Sequence, residues 1–137
     1  MAEMPQPSQR LLRLVVSVPP RPRTSKDAVE RAQQLMREDL TTPWTVTSLA
    51  RRVAVSRPVL ARQFQSLAGA SPMRWLSELR MERAAERLRE SDEKLSVIAA
   101  EVGYRSEFAF NSAFKRHHGV APGRYRLSTR TTFRAAA

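Results

Sequence analysis

The chain has no cysteine, four glycines and only two histidines, and each shortage closes off a class of chemistry. Without thiols there are no disulfides, thiolate zinc sites, iron–sulfur clusters or cysteine nucleophiles. The same lack suits a reducing compartment. No Gly-rich stretch forms a phosphate-cradling loop. His117 and His118 are adjacent, so on a helix they point about 100° apart and cannot grip one metal ion together. No carboxylate–histidine spacing points to zinc. The chain is therefore read as non-enzymatic, with no metal and no cofactor. Long apolar runs are missing too. Leu11 to Val18 is broken by Arg13 and Ser17 and closed by Pro19-Pro20, well short of the ~20 apolar residues of a spanning helix. No small-residue cleavage site follows an unbroken apolar core. A cytoplasmic protein with no membrane partner is expected.

Acidic residues are also scarce. The 137 residues carry 13 Asp plus Glu against 24 Lys plus Arg, a formal net charge of +11. All but three of the cations (Lys26, Lys94 and Lys115) are arginine. Codon bias in a GC-rich genome favours Arg over Lys, but it does not create a surplus of positive charge. Such a surplus on a folded chain points to a polyanion. The length suits one domain with a hydrophobic core.

Residues 1–24 read as a flexible Pro/Arg-rich tail whose apolar patch, Leu11 to Val16, can bury nothing alone. Regular structure is expected from Ser25, read as the cap of a first helix with Asp27 in its first turn and Val29, Ala32, Leu35, Met36 and Leu40 inward. Thr41-Thr42-Pro43 stops it. Thr45 caps a short second helix that buries Leu49, Ala50 and Val53. Ser56 caps a third with the stripe Leu60, Phe64 and Leu67, ended by Gly69. Ser71-Pro72 opens a long helix to about Arg89, with Leu76, Leu79, Ala84 and Leu88 inside. Ser96 opens a fifth helix with Ile98, Ala99 and Val102, stopped by Gly103. Ser106 caps a sixth with Phe110, Ala113, Phe114 and His117 inward, ended by Gly119. A short turn after Pro122 completes a domain spanning 25–127, and 128–137 is a C-terminal tail. No alternating strand pattern is visible, so the fold class is all-α.

The chain repeats itself. Leu49, Ala50 and Val53 match Ile98, Ala99 and Val102 at an offset of 49. After one extra residue, Ser56, Leu60, Phe64, Gly69, Pro72, Arg74 and Trp75 match Ser106, Phe110, Phe114, Gly119, Pro122, Arg124 and Tyr125 at an offset of 50. Each half is a short helix, a turn and a second helix opened by serine, the layout of a helix-turn-helix. An α-solenoid needs three or more units and shows no such surplus of positive charge. The first unit spans about 45–69, the linker helix about 72–89 and the second unit about 96–119. At 1.5 Å per residue the linker is roughly 27 Å long, against ~34 Å between successive major grooves on one face of B-DNA.

The runs Trp44 to Ala50, Ser71 to Leu76 and Ile98 to Tyr104 resemble the AraC/XylS-type transcription regulator DNA-binding domain. Ser106 to Phe110, Ala113 to Arg116 and Gly119 to Arg126 resemble its most specific signature. The resemblance covers about Asp27 to Arg126. It implies a homeodomain-like pair of helix-turn-helix units in a bacterial, sequence-specific regulator, with two recognition helices in adjacent major grooves. Family members commonly add a ligand-sensing domain, for which the residues before this domain leave no room. The chain is thus expected to act without a ligand, or to be a shortened relative or a piece of a longer protein. In the resembled family the exposed linker face also meets RNA polymerase.

On the sixth helix, the inward stripe leaves Phe108, Asn111, Ser112 and Lys115 outward. The repeat maps these onto Pro58, Ala61, Arg62 and Gln65. The same positions contact bases in the resembled family. Pro58, Ala61, Arg62, Gln65, Phe108, Asn111 and Ser112 are therefore the candidates for base readout. Arg62 suits guanine, Asn111 and Gln65 adenine, and Phe108 a thymine methyl; Phe108 as a packed helix-start aromatic stays open. The family often has a polar residue at Ala61 and a long basic one at Ser112, so readout here is lean and rests much on Arg62. Ser56, Arg57, Arg105, Ser106, Lys115 and Arg116 flank the recognition helices and suit phosphates. Trp44, Trp75 and Tyr125 are expected to pack. Glu78, Glu82 and Glu86 with Arg80, Arg83 and Arg87 read as a solvated face. Double-stranded DNA is the expected partner, bound by a monomer, with association through Leu11 to Val16 as another route. The alternative is a helical protein-interaction adaptor or anti-activator that kept the fold without specific readout.

Overall fold

The computed structural model of the protein describes residues 24–136, with side chains as far as residue 130. The expectations for residues 1–23, the Leu11 to Val16 patch among them, lie outside the described residues. Seven helices make up the described chain, and no strand occurs among them. None of these helices is long and apolar enough to cross a membrane.

α1 (Ser25–Glu38) is capped by Thr24 rather than Ser25. The reason is spacing. The Thr24 hydroxyl accepts from the Asp27 amide, and the Asp27 carboxylate accepts from the Thr24 amide, both at 3.1 Å. Three residues beyond Ser25 stands Ala28, which cannot reciprocate. α1 buries Ala28, Val29, Ala32, Leu35 and Met36. Beyond it, Asp39 accepts from the amides and hydroxyls of Thr41 and Thr42. Those bonds hold its carboxyl below the ordinary carboxylate value. α2 (Val46–Arg52) opens on a Thr45–Ser48 capping box, α3 (Arg57–Ala68) on Ser56, and α4 (Pro72–Glu90) on Ser71. α5 (Leu95–Glu101) starts one residue before Ser96, with Lys94 in the cap position and no side-chain bond there. α6 (Glu107–His118) is capped by Ser106.

Two expectations about the C-terminal part need correction. The turn after Pro122 and the tail 128–137 are replaced by a 15-residue helix, α7 (Pro122–Ala136). It is anchored from its side. Arg126 donates to the Leu88 and Glu93 carbonyls at 3.2 and 2.8 Å. Arg130 donates to the Ser91 carbonyl at 2.9 Å and pairs with Asp92. His117 is exposed, and His118 is the half-buried ring that stacks on Phe114 at 4.3 Å. Phe110, Phe114 and His118 form one row at four-residue spacing, whereas 117 lies round the helix. Leu67, at the position matching His117, is likewise exposed, at 53%.

Packing divides into two cores. The first holds the α1 residues with Trp44, Leu49, Ala50, Val53, Leu60, Phe64 and Leu76. The second holds Met81, Ala84, Ala85, Leu88, Ile98, Ala99, Val102, Phe110 and Phe114. α4 therefore serves both: its first half closes one unit and its second half opens the next. Trp44 is buried, Trp75 meets Phe64 edge-on at 5.9 Å, and Tyr125 meets Phe114 edge-on at 5.3 Å. All three pack, as expected.

Candidate nucleic-acid interface

Each unit lays a short helix, α2 or α5, against a longer one, α3 or α6. The turn between them passes through a left-handed residue at the same register, Ala54 in one unit and Gly103 in the other. The second turn is one residue longer, and the extra residue is Arg105. In both units the buried anchors of the longer helix are a pair four residues apart: Leu60 with Phe64, and Phe110 with Phe114. Such a pair holds one face down and presents the other.

The presented faces match position by position. Pro58, Arg62 and Gln65 are exposed and Ala61 is half-buried; Phe108, Ser112 and Lys115 are exposed and Asn111 is half-buried. Phe108 stands 81% exposed, which excludes the packed helix-start alternative. Asn111 is the least presented of the polar candidates, because its Oδ1 is buried and has no hydrogen-bond partner among the described residues. Ser56 and Ser106 accept from the Val59 and Ala109 amides at 3.3 and 3.1 Å, so their hydroxyls brace the helix starts.

Charge is partitioned. Three of the five α4 cations are in ion pairs: Arg74 with Glu78, Arg83 with Glu86, and Arg87 with Glu101 of α5 at 2.8 Å; Arg89 donates to the Tyr125 hydroxyl instead. The Glu101 carboxylate raises the Arg87 guanidinium above its ordinary value. Arg57, Arg62, Arg105, Lys115 and Arg116 are exposed, and none enters an ion pair among the described residues. Unpaired cations thus stand on and beside α3 and α6, and others, Arg31, Arg51, Lys94 and Arg124 among them, are exposed and without an ion pair elsewhere on the described surface. The two heads differ: the first helix starts with Arg57 and carries Arg62, while the second starts with Glu107 and carries Ser112 at the matching place.

The reading of Arg80 as part of a solvated face is wrong. Its guanidinium turns back onto the Leu40 and Thr42 carbonyls, half-buried, and burial lowers its pKa. The repeat contained the signal. Arg80 and Arg130 stand at an offset of 50, and each reaches back to a carbonyl in the loop before its own unit. No group of three His, Cys, Asp or Glu residues that would hold a metal occurs among the described residues.

A family model described as a helix-turn-helix domain matches residues 49–128. An AraC-like transcription regulator of Streptomyces lividans is 44% identical over 98 residues, which is 72% of this chain and 32% of that protein. The chain belongs to the AraC-type helix-turn-helix family. The match takes in about a third of the length of the curated AraC-type relatives. A further relative, the RCS-specific transcriptional activator RclR of Escherichia coli, is 40% identical over 87 residues, 64% of this chain and 31% of that protein. Among solved AraC-type structures, the DNA-binding domain of the global transcriptional factor AdpA in complex with a target DNA superposes with a TM-score of 0.73. The two are 31% identical, with 77% of this chain and 95% of that one covered.

Proposed function

We propose that the protein is a sequence-specific, double-stranded-DNA-binding transcription regulator of the bacterial cytoplasm. Each recognition helix, α3 and α6, enters one of two adjacent major grooves. The observation that carries this is the pair of matching exposed helix faces with their cations unpaired, mounted on one continuous helix. That helix has 19 residues, or roughly 28 Å at 1.5 Å per residue, close to the ~34 Å of one helical turn of DNA. One chain supplies both heads, so it binds as a monomer. Arg57, Arg105, Lys115 and Arg116 take phosphates, with the braced starts of α3 and α6 at Ser56 and Ser106 beside them. Arg62 is the strongest base reader, with its five donors exposed and uncommitted. Pro58, Ala61, Gln65, Phe108 and Ser112 shape the rest of the contact. Asn111 joins them only if its amide turns outward.

Selection of bound sequences from random duplex DNA tests the reading. Recovery of a directional motif with two elements ~10 bp apart is expected. Salt-sensitive binding with no motif would overturn it in favour of a module that kept the fold without specific readout. Arg62→Ala is expected to relax preference at one base, at a loss of about 1–3 kcal/mol. Uniform weakening across all sequences would make Arg62 a phosphate contact instead.

A further inference from the structure

Arg80 lies on α4 at the boundary between the two cores, after Leu76 and Leu79 of the first and immediately before Met81 of the second. Its Nε and Nη2 donate to the Leu40 carbonyl at 3.1 and 2.8 Å, and Nη2 donates also to the Thr42 carbonyl at 3.1 Å. Both acceptors belong to the loop between α1 and α2, part of the first unit. Gly103, in the turn of the second unit, closes on the same spot. A Cβ there would overlap the Leu40 carbonyl oxygen and stand 3.0 Å from both Nε and Nη2 of Arg80. Tyr104, the next residue, lies within electrostatic reach of the guanidinium.

One planar cation therefore sits where the first unit's loop, the linker and the second unit's turn converge. Each unit packs on its own half of α4. Twist between the halves is restrained by the helix itself and by this contact. A half-buried guanidinium that loses three hydrogen bonds to carbonyls leaves both sides desolvated and unpaired, so the bonded geometry is strongly preferred. Lysine in its place reaches as a point charge and lacks the planar fork that serves both carbonyls. On DNA the required precision is set by the helix: one base pair more or less turns the second element by about 35° and shifts it by about 3.4 Å.

We propose that Arg80 is a positioning residue for DNA recognition: by locking the first unit's loop to the linker against Gly103 of the second unit, it sets the number of base pairs between the two recognised elements. This rests on the reading that both units bind DNA.

The test is selection from random duplex DNA with the full chain as wild type, Arg80→Met and Arg80→Lys, scored for two quantities. One is base preference within each element; the other is the distribution of spacings between elements. Helical circular dichroism first establishes that each variant is folded. The expected result is one dominant spacing for the wild type. For Arg80→Met the same base preferences should return, with spacings spread at least one base pair to either side, and Arg80→Lys should fall between. Lost stability alone lowers the yield of bound DNA and leaves the spacing where it was. Folded variants that select the wild-type spacing as narrowly as the wild type overturn the proposal. Failure of both variants to fold also overturns it, because the bonds then serve the fold alone. A wild type that selects no two-element motif sinks the DNA reading itself, and the role of Arg80 with it.

Discussion

Ala54 and Gly103 hold matching places in the two turns, at φ +58° and +91°. A left-handed backbone costs a residue with a Cβ roughly 1–2 kcal/mol, while glycine sacrifices about 0.4–1 kcal/mol through the greater freedom of its unfolded chain. At Ala54 the two effects partly offset, so Ala54→Gly is expected to raise stability by at most about 1.6 kcal/mol. Gly103→Ala meets the backbone cost and also drives a Cβ into the Leu40 carbonyl, for a loss of at least about 2 kcal/mol. Urea midpoints at constant slope measure both; equal effects at the two sites would refute the argument. A second residue ties stability to pH. Burial among the aromatic rings pushes the His118 imidazole below its ordinary value of 6.5, against the opposing Met81 carbonyl contact. The unfolded chain therefore binds the proton more readily than the folded one. Stability from this group is complete above pH 6.5 and is lost as pH falls through the lowered folded value. The wild type should thus weaken between pH 7.5 and acid, and His118→Phe should remove that part of the slope in paired denaturation curves. An unchanged slope would place the titration elsewhere.

At the scale of whole helices, one break in the repeat is a missing cap. Thr45 opens α2 with a reciprocal bond to Ser48, whereas the matching residue at the start of α5 is Lys94, which makes no cap bond and sets a positive charge at the positive end of the helix. Lys94→Thr is expected to stabilise the chain by about 1 kcal/mol, read as a higher denaturant midpoint; no rise would mean that the first amides of α5 are satisfied another way. Helix starts marked by Ser56, Ser71 and Ser106 are legible in the sequence because a local hydroxyl–amide bond decides them. So are the anchors Leu60, Phe64, Phe110 and Phe114, whose four-residue spacing needs no knowledge of a neighbour. The continuation of α7 is not legible, since it depends on Arg126 and Arg130 finding carbonyls more than thirty residues away. Arg80 is hidden for the same reason. Spaced with Glu78, Glu82 and Glu86 it looks solvated, and only the fold brings Leu40 to it. Of the candidate site, the outward positions of α3 and α6 follow from periodicity, but the inward turn of the Asn111 oxygen requires the packed structure.

For the molecule as a whole, the excess of eleven positive charges makes salt the variable to which DNA binding should answer most directly. Arg74, Arg83 and Arg87 of α4 are neutralised by carboxylates of α4 and α5, while Arg57, Arg62, Arg105, Lys115 and Arg116 on and beside α3 and α6 are exposed and without an ion pair among the described residues. Each phosphate neutralised by a cation releases condensed counterions, so log K falls against log salt with a slope of about −0.9 per contact. Contacts from Arg57, Arg105, Lys115 and Arg116 together predict a slope of about −4. Lys115→Ala or Arg116→Ala is then expected to weaken all duplexes alike and make the slope shallower by about 1. Arg83, already paired with Glu86 on the linker, supplies the control, and Arg83→Ala should leave the slope unchanged. Fluorescence-anisotropy titrations of a labelled duplex between roughly 50 and 200 mM salt span the range in which such contacts change affinity most visibly. If Arg83→Ala flattens the slope as much as Lys115→Ala does, the charge acts as a diffuse field over the whole surface. The unpaired cations beside the recognition helices would then not be the docking surface.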